Sequence, residues 1–324
     1  MKICIFARDS AYGGVVFAAS AMRAMGLNVS VVFANAVRHD FDEMVNPRLC
    51  WDREENRPAI LKALDRADHL IVFGCNSIEP LYRIINGREK CILGHWGTNS
   101  VVVTDSIYAR DPERFNMLFK MNRTRLHVMP DLACYLDQGQ VYTPFYPYLG
   151  LEDYPIEKTR AVTIAHSPGR KLGNDMKGTS LITSKIAELG MPDQCFRVLS
   201  GLDWHECVRA KSFSHIFVDQ LIDNTRNIIM SRINKSYQGG IGKSGIEAML
   251  LKNVVISSGV QPDTLPHFPP PPVEWVSLET FSETVREYMM DKPLREVTAE
   301  AQYSWARKYL SRDAVIDRLL AGIV

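Results

Sequence analysis

Residues 237–259, YQGGIGKSGIEAMLLKNVVISSG, gather side chains and glycines suited to anion chemistry. Gly239, Gly240 and Gly242 crowd the start, Lys243 and Ser244 follow, and residues 244–252 are compatible with a helix. A loop of this kind ends in N–H groups that have no intrahelical partner and in the positive end of the helix dipole, and glycine lets a phosphate come close to the backbone. Glu247 falls about one turn into the helix. There its carboxylate is placed to accept hydrogen bonds from sugar hydroxyls beside a phosphate held at the helix start. Val254, Val255 and Ile256 read as a buried strand that ends in Ser257, Ser258 and Gly259. The stretch reads as a nucleotide subsite, although glycines before a helix and an apolar strand after it also describe an ordinary α/β connection.

Other residue clusters admit other chemistries. GGIGKS resembles the variant phosphate loop of some ATPases, but Gln238 stands where that loop carries a Lys, and Tyr237 stands where the ordinary pattern has its first Gly. Residues 35–57 hold Arg38, His39, Asp40, Asp42 and Glu43, which lack the spacing of a metal site and read as a solvated excursion. Cys4, Cys50, Cys75, Cys91, Cys134, Cys195 and Cys207 are odd in number and without CxxC spacing, so buried free thiols are expected rather than zinc.

The elements that must position these groups follow from hydrophobic patterning. A chain of 324 residues with 46% hydrophobic residues suggests about two domains with ample cores. A formal net charge of +1 and the absence of long like-charge blocks announce no nucleic-acid or membrane partner. MKICIFARDS turns polar too soon for a secretory signal, and no apolar run approaches the roughly 20 residues of a membrane span, so a cytoplasmic location is expected. Residues 2–7 are a strand, 8–14 a turn with Gly13 and Gly14, 15–26 a helix and 28–33 a second strand, the opening of a doubly wound α/β domain. Gly13 and Gly14 do not complete the dinucleotide fingerprint, and their turn serves either helix packing or a ligand. Helices at 58–66 and 78–85 alternate with strands at 69–74 and 90–93, and His95 lies in the polar loop GHWGTNS beyond the latter. A helix at 111–121, a strand at 126–129 and a short helix at 130–136 follow. Residues 142–158, rich in Pro and aromatics, read as a linker. The pattern then restarts with strands at 161–165, 196–199, 215–218 and 273–276, helices at 177–189 and 204–211, and helical residues to the end.

At His166 the chain resembles a known family. AHSPGRKLGNDMKGTSLI is similar to the nucleotide-loop region of retaining glycosyltransferases of the GT-B fold, family-4-like, in which a strand, a short His-Ser-Pro turn and an Arg precede a Lys-Gly-Thr that opens a helix. FVDQL, GGIGKSGIEAML and VVISSG look like that family's strand-Asp-Gln-Leu, its Gly-rich turn with helical Glu-Ala-Met, and its following strand. FARDSAYGG, GHWGTNS and MPDL look like landmarks of its acceptor domain. The resemblance spans most of the chain in the right order.

It implies an α/β protein of two Rossmann-like doubly wound domains facing a cleft. Residues 1–150 would bind the acceptor, with the terminal helix at 305–324 packing back on them, and residues 151–304 would bind a nucleotide-sugar. Arg170 and Lys177 would hold the donor diphosphate with the helix start at Gly242, Lys243 and Ser244, and Glu247 would hold the ribose. Gly13, Gly14 and Asp219 would complete the donor site, and His95 would stand near the reacting carbon. The resemblance further implies hexosyl transfer from a UDP-sugar with retention, by same-face attack in which the leaving phosphate takes the acceptor proton. No protein nucleophile, metal or cofactor is needed in that scheme. An acidic residue that many members carry two turns before the helical Glu is Gly239 here, which leaves the sugar open. The acceptor is open as well: a glycan, lipid, small molecule or modified DNA base. A P-loop-like ATPase or a noncatalytic nucleotide-binding module is the reading from another class.

Overall fold

Residues 3–7 are all buried, as expected of a strand covered on both faces, and they form an interior strand of the first of two sheets. The computed structural model describes residues 1–7, 14–33, 49–73, 91–95, 124–127, 141–142, 151, 154–168, 175, 177–222, 241–258 and 269–321. The chain divides into two compact units, residues 1–149 with 312–324 and residues 150–311.

The first unit contains β1 (Lys2–Ala7), α1 (Gly14–Ala24), β2 (Asn28–Phe33), β3 (Leu49–Cys50), α2 (Arg57–Arg66), β4 (His69–Phe73), β5 (Cys91–His95), β6 (Thr124–His127) and β7 (Val141–Tyr142). Their spatial order is β3-β2-β1-β4-β5-β6-β7, with every pair parallel. The order reverses direction between β1 and β4, as in a doubly wound sheet. α1 packs on β1 and β2, and Ile60 and Leu64, one turn apart on α2, face the core. Two short strands were not expected. Leu49 and Cys50 pair with Val32 and Phe33, so the end of the acidic excursion is part of the sheet, and Val141–Tyr142 forms its opposite edge at the start of the expected linker. Two residues give little periodicity, which is why such edges are hard to see in a sequence. The helices expected at 78–85, 111–121 and 130–136 lie outside the described residues.

The second unit contains β8 (Ile164–His166), α3 (Thr179–Ala187), β9 (Phe196–Val198), α4 (Trp204–Phe213), β10 (Ile216–Gln220), α5 (Lys243–Leu250), β11 (Val254–Ser258), β12 (Glu274–Val276), α6 (Phe281–Met290) and α7 (Lys292–Leu310). The parallel order β12-β11-β10-β8-β9 reverses between β8 and β10. Period-two alternation sorts the strands. Ile164, Ile216, Val218, Val254 and Ile256 join Ile182 and Ile186 of α3 and Phe281 and Val285 of α6 in one core. α5 and α7 pack on β11. α8 (Arg312–Ala321) returns to the first unit and packs on α1. The return was expected at residue 305, but residues 305–310 complete the 19-residue α7 and stay with the second unit.

One side chain completes the sheet where a strand is too short. β12 begins to pair with β11 at Ile256. At the preceding residue, the fully buried Gln302 of α7 takes the strand's place: its Oε1 accepts from Val255 N at 2.7 Å, and its Nε2 donates to Val255 O at 3.2 Å. Gln302→Leu keeps the volume but leaves both main-chain groups enclosed without these partners. Each such group costs about 1–3 kcal/mol. Urea unfolding of the full chain is expected to show a loss of about 2–6 kcal/mol, and a loss below about 1 kcal/mol would mean that the amide does not replace a strand.

Candidate functional site

Ligands of doubly wound sheets bind beyond the carboxyl ends of the strands where the order reverses. In the second unit that place is between His166, the last residue of β8, and Asp219 and Gln220, the last of β10. Asp219 is fully buried. Its Oδ1 is 2.7 Å from Lys177 Nζ, and its Oδ2 accepts from Gly242 N at the cap of α5. The main chain repeats the tie, since Leu221 N donates to Lys177 O at 3.0 Å. Glycine is required for this approach. A Cβ on Gly178, which also has a left-handed φ of +70°, would come 1.7 Å from the Leu221 carbonyl oxygen, and one on Gly245 would lie 3.1 Å from Asp219 Cγ and 2.8 Å from Ile241 Cγ1. That left-handed glycine is also why α3 begins at Thr179 and not at Lys177.

A second charged cluster lies on the first turn of α5. Glu247 is 3% exposed, and its Oε2 is 2.6 Å from Nζ of Lys211, a fully enclosed residue of α4. Oε1 accepts from Trp204 Nε1 at 3.1 Å and faces Lys243 Nζ at 3.7 Å. Burial pushes the Glu247 carboxyl up, but the charges of Lys211 and Lys243 and the hydrogen bonds from Lys211 and Trp204 outweigh it, and the group sits below the ordinary carboxylate range. Lys211 is pushed down by burial and more than restored by Glu247, so it titrates above an ordinary lysine. Burial leaves Lys243 below the ordinary range despite Glu247.

His166, also fully buried, is fixed in one tautomer. Its Nδ1 lies 2.8 Å from the Val218 carbonyl, which can only accept, so Nδ1 carries the proton and Nε2 accepts from the Thr179 hydroxyl at 2.9 Å. Asp175 closes the start of α3 by accepting from Thr179 N and, at 2.9 Å, from Ser180 N. Burial works against the Asp175 charge, but these bonds lower its pKa overall.

Of the residues singled out in the sequence, Lys177, Asp219 and Gly242 meet in one cluster, and Lys243 and Glu247 meet in the other, with Ser244 between them on the first turn of α5. Gly14 is the first residue of α1, and His95 is the last residue of β5, inside the strand and paired with His127 in register, not in the loop after it. Gly13 and Arg170 lie outside the described residues. Three participants escaped the sequence reading: Lys211, Trp204 and Asp175. A lone lysine on a helix carries no signal of burial. For Trp204 a signal existed, because Asp203 and Glu206 form a capping box that fixes the start of α4 and puts the indole on its first turn. Among the described residues no group of three or more His, Cys, Asp or Glu side chains could hold a metal, and no helix is long and apolar enough to cross a membrane.

No family profile and no curated protein matches the sequence. Solved structures do match, along nearly the whole chain. A glycosyltransferase from Rickettsia africae superposes with a TM-score of 0.66 at 10% identity, covering 99% of this chain and 97% of that one. HepE of Anabaena in complex with UDP and glucose gives 0.65 at 9%, covering 99% of each chain. Sucrose-phosphate synthase from Thermosynechococcus elongatus gives 0.61 at 12%, covering 99% and 98%. The fold is α/β, two Rossmann-like units with parallel sheets, and it is the GT-B fold.

The trapped imidazole has a consequence for stability against pH. Burial lowers the His166 pKa to about 4, whereas an unfolded chain binds that proton below about 6.5. The stabilisation from a neutral His166 is therefore full above pH 6.5 and is lost as pH falls toward 4, amounting to about 3 kcal/mol. His215, lowered by burial to about 4 as well, acts in the same window but is only half-buried. Unfolding measured from pH 7 to 4 is expected to show a distinctly shallower loss in His166→Asn, with the His215 contribution remaining. An unchanged slope would contradict the assignment.

Proposed function

We propose that this chain is a glycosyltransferase that moves a hexose from a UDP-sugar to an acceptor hydroxyl with retention of configuration. The observation that carries the reading is the cluster at the reversal point of the second sheet, where a buried Asp219 holds a lysine and the start of α5 side by side. The shared fold supports it, since HepE has been captured with UDP. In this reading residues 150–311 bind the donor. Lys177 has three N–H donors and gives one to Asp219, and with 19% of its side chain exposed it can offer others to a diphosphate. Arg170 would act with it, beside the first turn of α5 at Gly242, Lys243 and Ser244, and Glu247 would receive the ribose hydroxyls. Gly13, Gly14 and Asp219 are proposed to contribute to binding the donor, and His95 to orient the reacting partners.

The proposed chemistry needs no covalent enzyme intermediate. The acceptor oxygen forms its bond to the anomeric carbon on the face from which the diphosphate departs, the bond from that carbon to the phosphate oxygen breaks, and the departing phosphate takes the acceptor proton. Arg170, Lys177 and the helix start would stabilise the charge that grows on the leaving group, so neither a metal nor a further cofactor is called for. The ATPase reading would require Lys243 to serve a phosphate, but its ammonium turns back along its own helix to Glu247.

Calorimetry is expected to show UDP binding weakened by about 1–3 kcal/mol in Lys177→Ala, the range for a charge-assisted hydrogen bond. Unchanged affinity would remove Lys177 from the site. ATP with magnesium should not be hydrolysed, and hydrolysis abolished by Lys243→Ala alone would overturn the transferase reading. His95→Ala should lower turnover by about two orders of magnitude while leaving UDP affinity nearly intact. Normal turnover in that variant would exclude His95 from the reaction.

A further inference from the structure

The first sheet sets His95 in a row of residues that lie far apart in the sequence. β5 and β6 both end in a histidine, and His95 and His127 are partners in register across the two parallel strands. His127 is in turn the partner of Tyr142, the last residue of β7. Residues paired in register lie on one face of a sheet, with neighbouring strands about 4.8 Å apart. His95, His127 and Tyr142 thus form one row at the carboxyl edge, beyond which ligands of doubly wound sheets bind. Arg125 stands two residues before His127 on β6, so it belongs to the same face, about 6.6 Å behind the row.

An arginine is an unusual residue for an interior strand. Parallel sheets are covered on both faces, and a permanently charged group in one calls for an anionic partner. β6 lies between β5 and β7, with β4 beyond β5, and these four strands read HLIVF, CILGH, TRLH and VY, without an aspartate or glutamate. One face of this half of the sheet therefore assembles a guanidinium, two imidazoles and a phenol, all hydrogen-bond donors and none of them an anion. A guanidinium matches the paired oxygens of a phosphate or carboxylate, and each imidazole or phenol adds a donor. An uncharged sugar would engage the histidines but leave the arginine without a counter-charge.

We propose that the row of His95, His127 and Tyr142, with Arg125 behind it, holds an anionic group of the acceptor, so that the acceptor hydroxyl belongs to a compound bearing a phosphate or carboxylate. This rests on the reading of the first unit as the acceptor-binding one and names the class of acceptor it takes. His127 is then a ligand-binding residue in its own right, beside the histidine that orients the reacting partners.

The test titrates the full chain, in saturating UDP so that the donor subsite is filled, with glucose 6-phosphate, glucuronate, inorganic phosphate and, as the uncharged control, glucose. Calorimetry on wild type should show at least one of the three anions bound about 10-fold or more tighter than glucose, the worth of one charge-assisted hydrogen bond. His127→Asn and Arg125→Gln should each weaken that anion by about 10-fold while UDP affinity stays as in wild type. Inorganic phosphate bound as tightly as glucose 6-phosphate would support a row that reads the charge alone, and a preference for glucose 6-phosphate or glucuronate a row that reads charge and sugar together. Wild type that binds none of the anions, or binds them no better than glucose, overturns the proposal, and so does anion binding that survives both substitutions. If Arg125→Gln does not fold, His127→Asn decides, and undiminished anion affinity there overturns the proposal. If wild type does not bind UDP, the nucleotide-sugar reading fails, and the same titrations without UDP still decide whether the row binds an anion.

Discussion

A carboxylate that is wholly enclosed needs partners for its oxygens, and Asp219 finds them on two different connections of the second sheet. Lys177 stands on the segment that runs from β8 to α3, and Gly242 heads α5 after the segment that follows β10. One side chain at the end of the central strand thus ties down the approaches to both helices. Removing it would strand an ammonium and an amide together, which is more costly than the absence of all three groups. The arrangement also explains why glycines recur at this edge. A strand end and two helix starts can share one carboxylate only if their backbones come nearly into contact, and Gly178 and Gly245 permit this where a methyl group would strike a carbonyl or the carboxylate itself.

The pair Lys211–Glu247 repeats the device one helix away, with a different outcome. Asp219 fixes main chain, whereas Glu247 fixes side chains, gathering an indole and two ammonium groups onto the first turn of α5. Carboxylates and lysines alternate along this edge, so that positive charge is held in place before any ligand arrives. Charge arranged in advance loses little to reorganisation when an anion binds, which is the condition under which electrostatic stabilisation is strongest.

Much of this fold was legible because the strands are long apolar runs with a fixed alternation: ICIFA, VVF, IFV and VVISS each became a buried strand near the expected place. Helix α5 was legible as a helix because residues 244–252 form a helix-compatible run after a Gly-rich turn. Boundaries were less so, since α3 starts two residues late for the conformation of a single glycine, and β3 and β7 are too short to show a period. The remaining gaps are of another kind. Lys211, Asp175 and Gln302 are polar residues on otherwise ordinary helices or turns, and only their tertiary partners, far away in sequence, distinguish them from solvated ones. Composition cannot reveal a side chain that is enclosed because a strand from elsewhere ended one residue early.

Gln302 carries that last point further. Its amide occupies a place in the sheet that a strand would fill, so α7 meets β11 through a two-point attachment with a fixed azimuth as well as through apolar packing. An insertion of one residue between the cap at Asp291 and Gln302 would turn the amide by about 100° around the helix axis and carry it off the strand. The length of this part of α7 is therefore constrained more tightly than its composition. Related chains should tolerate wide exchange at its exposed positions, and gaps or insertions should collect in the loops on either side.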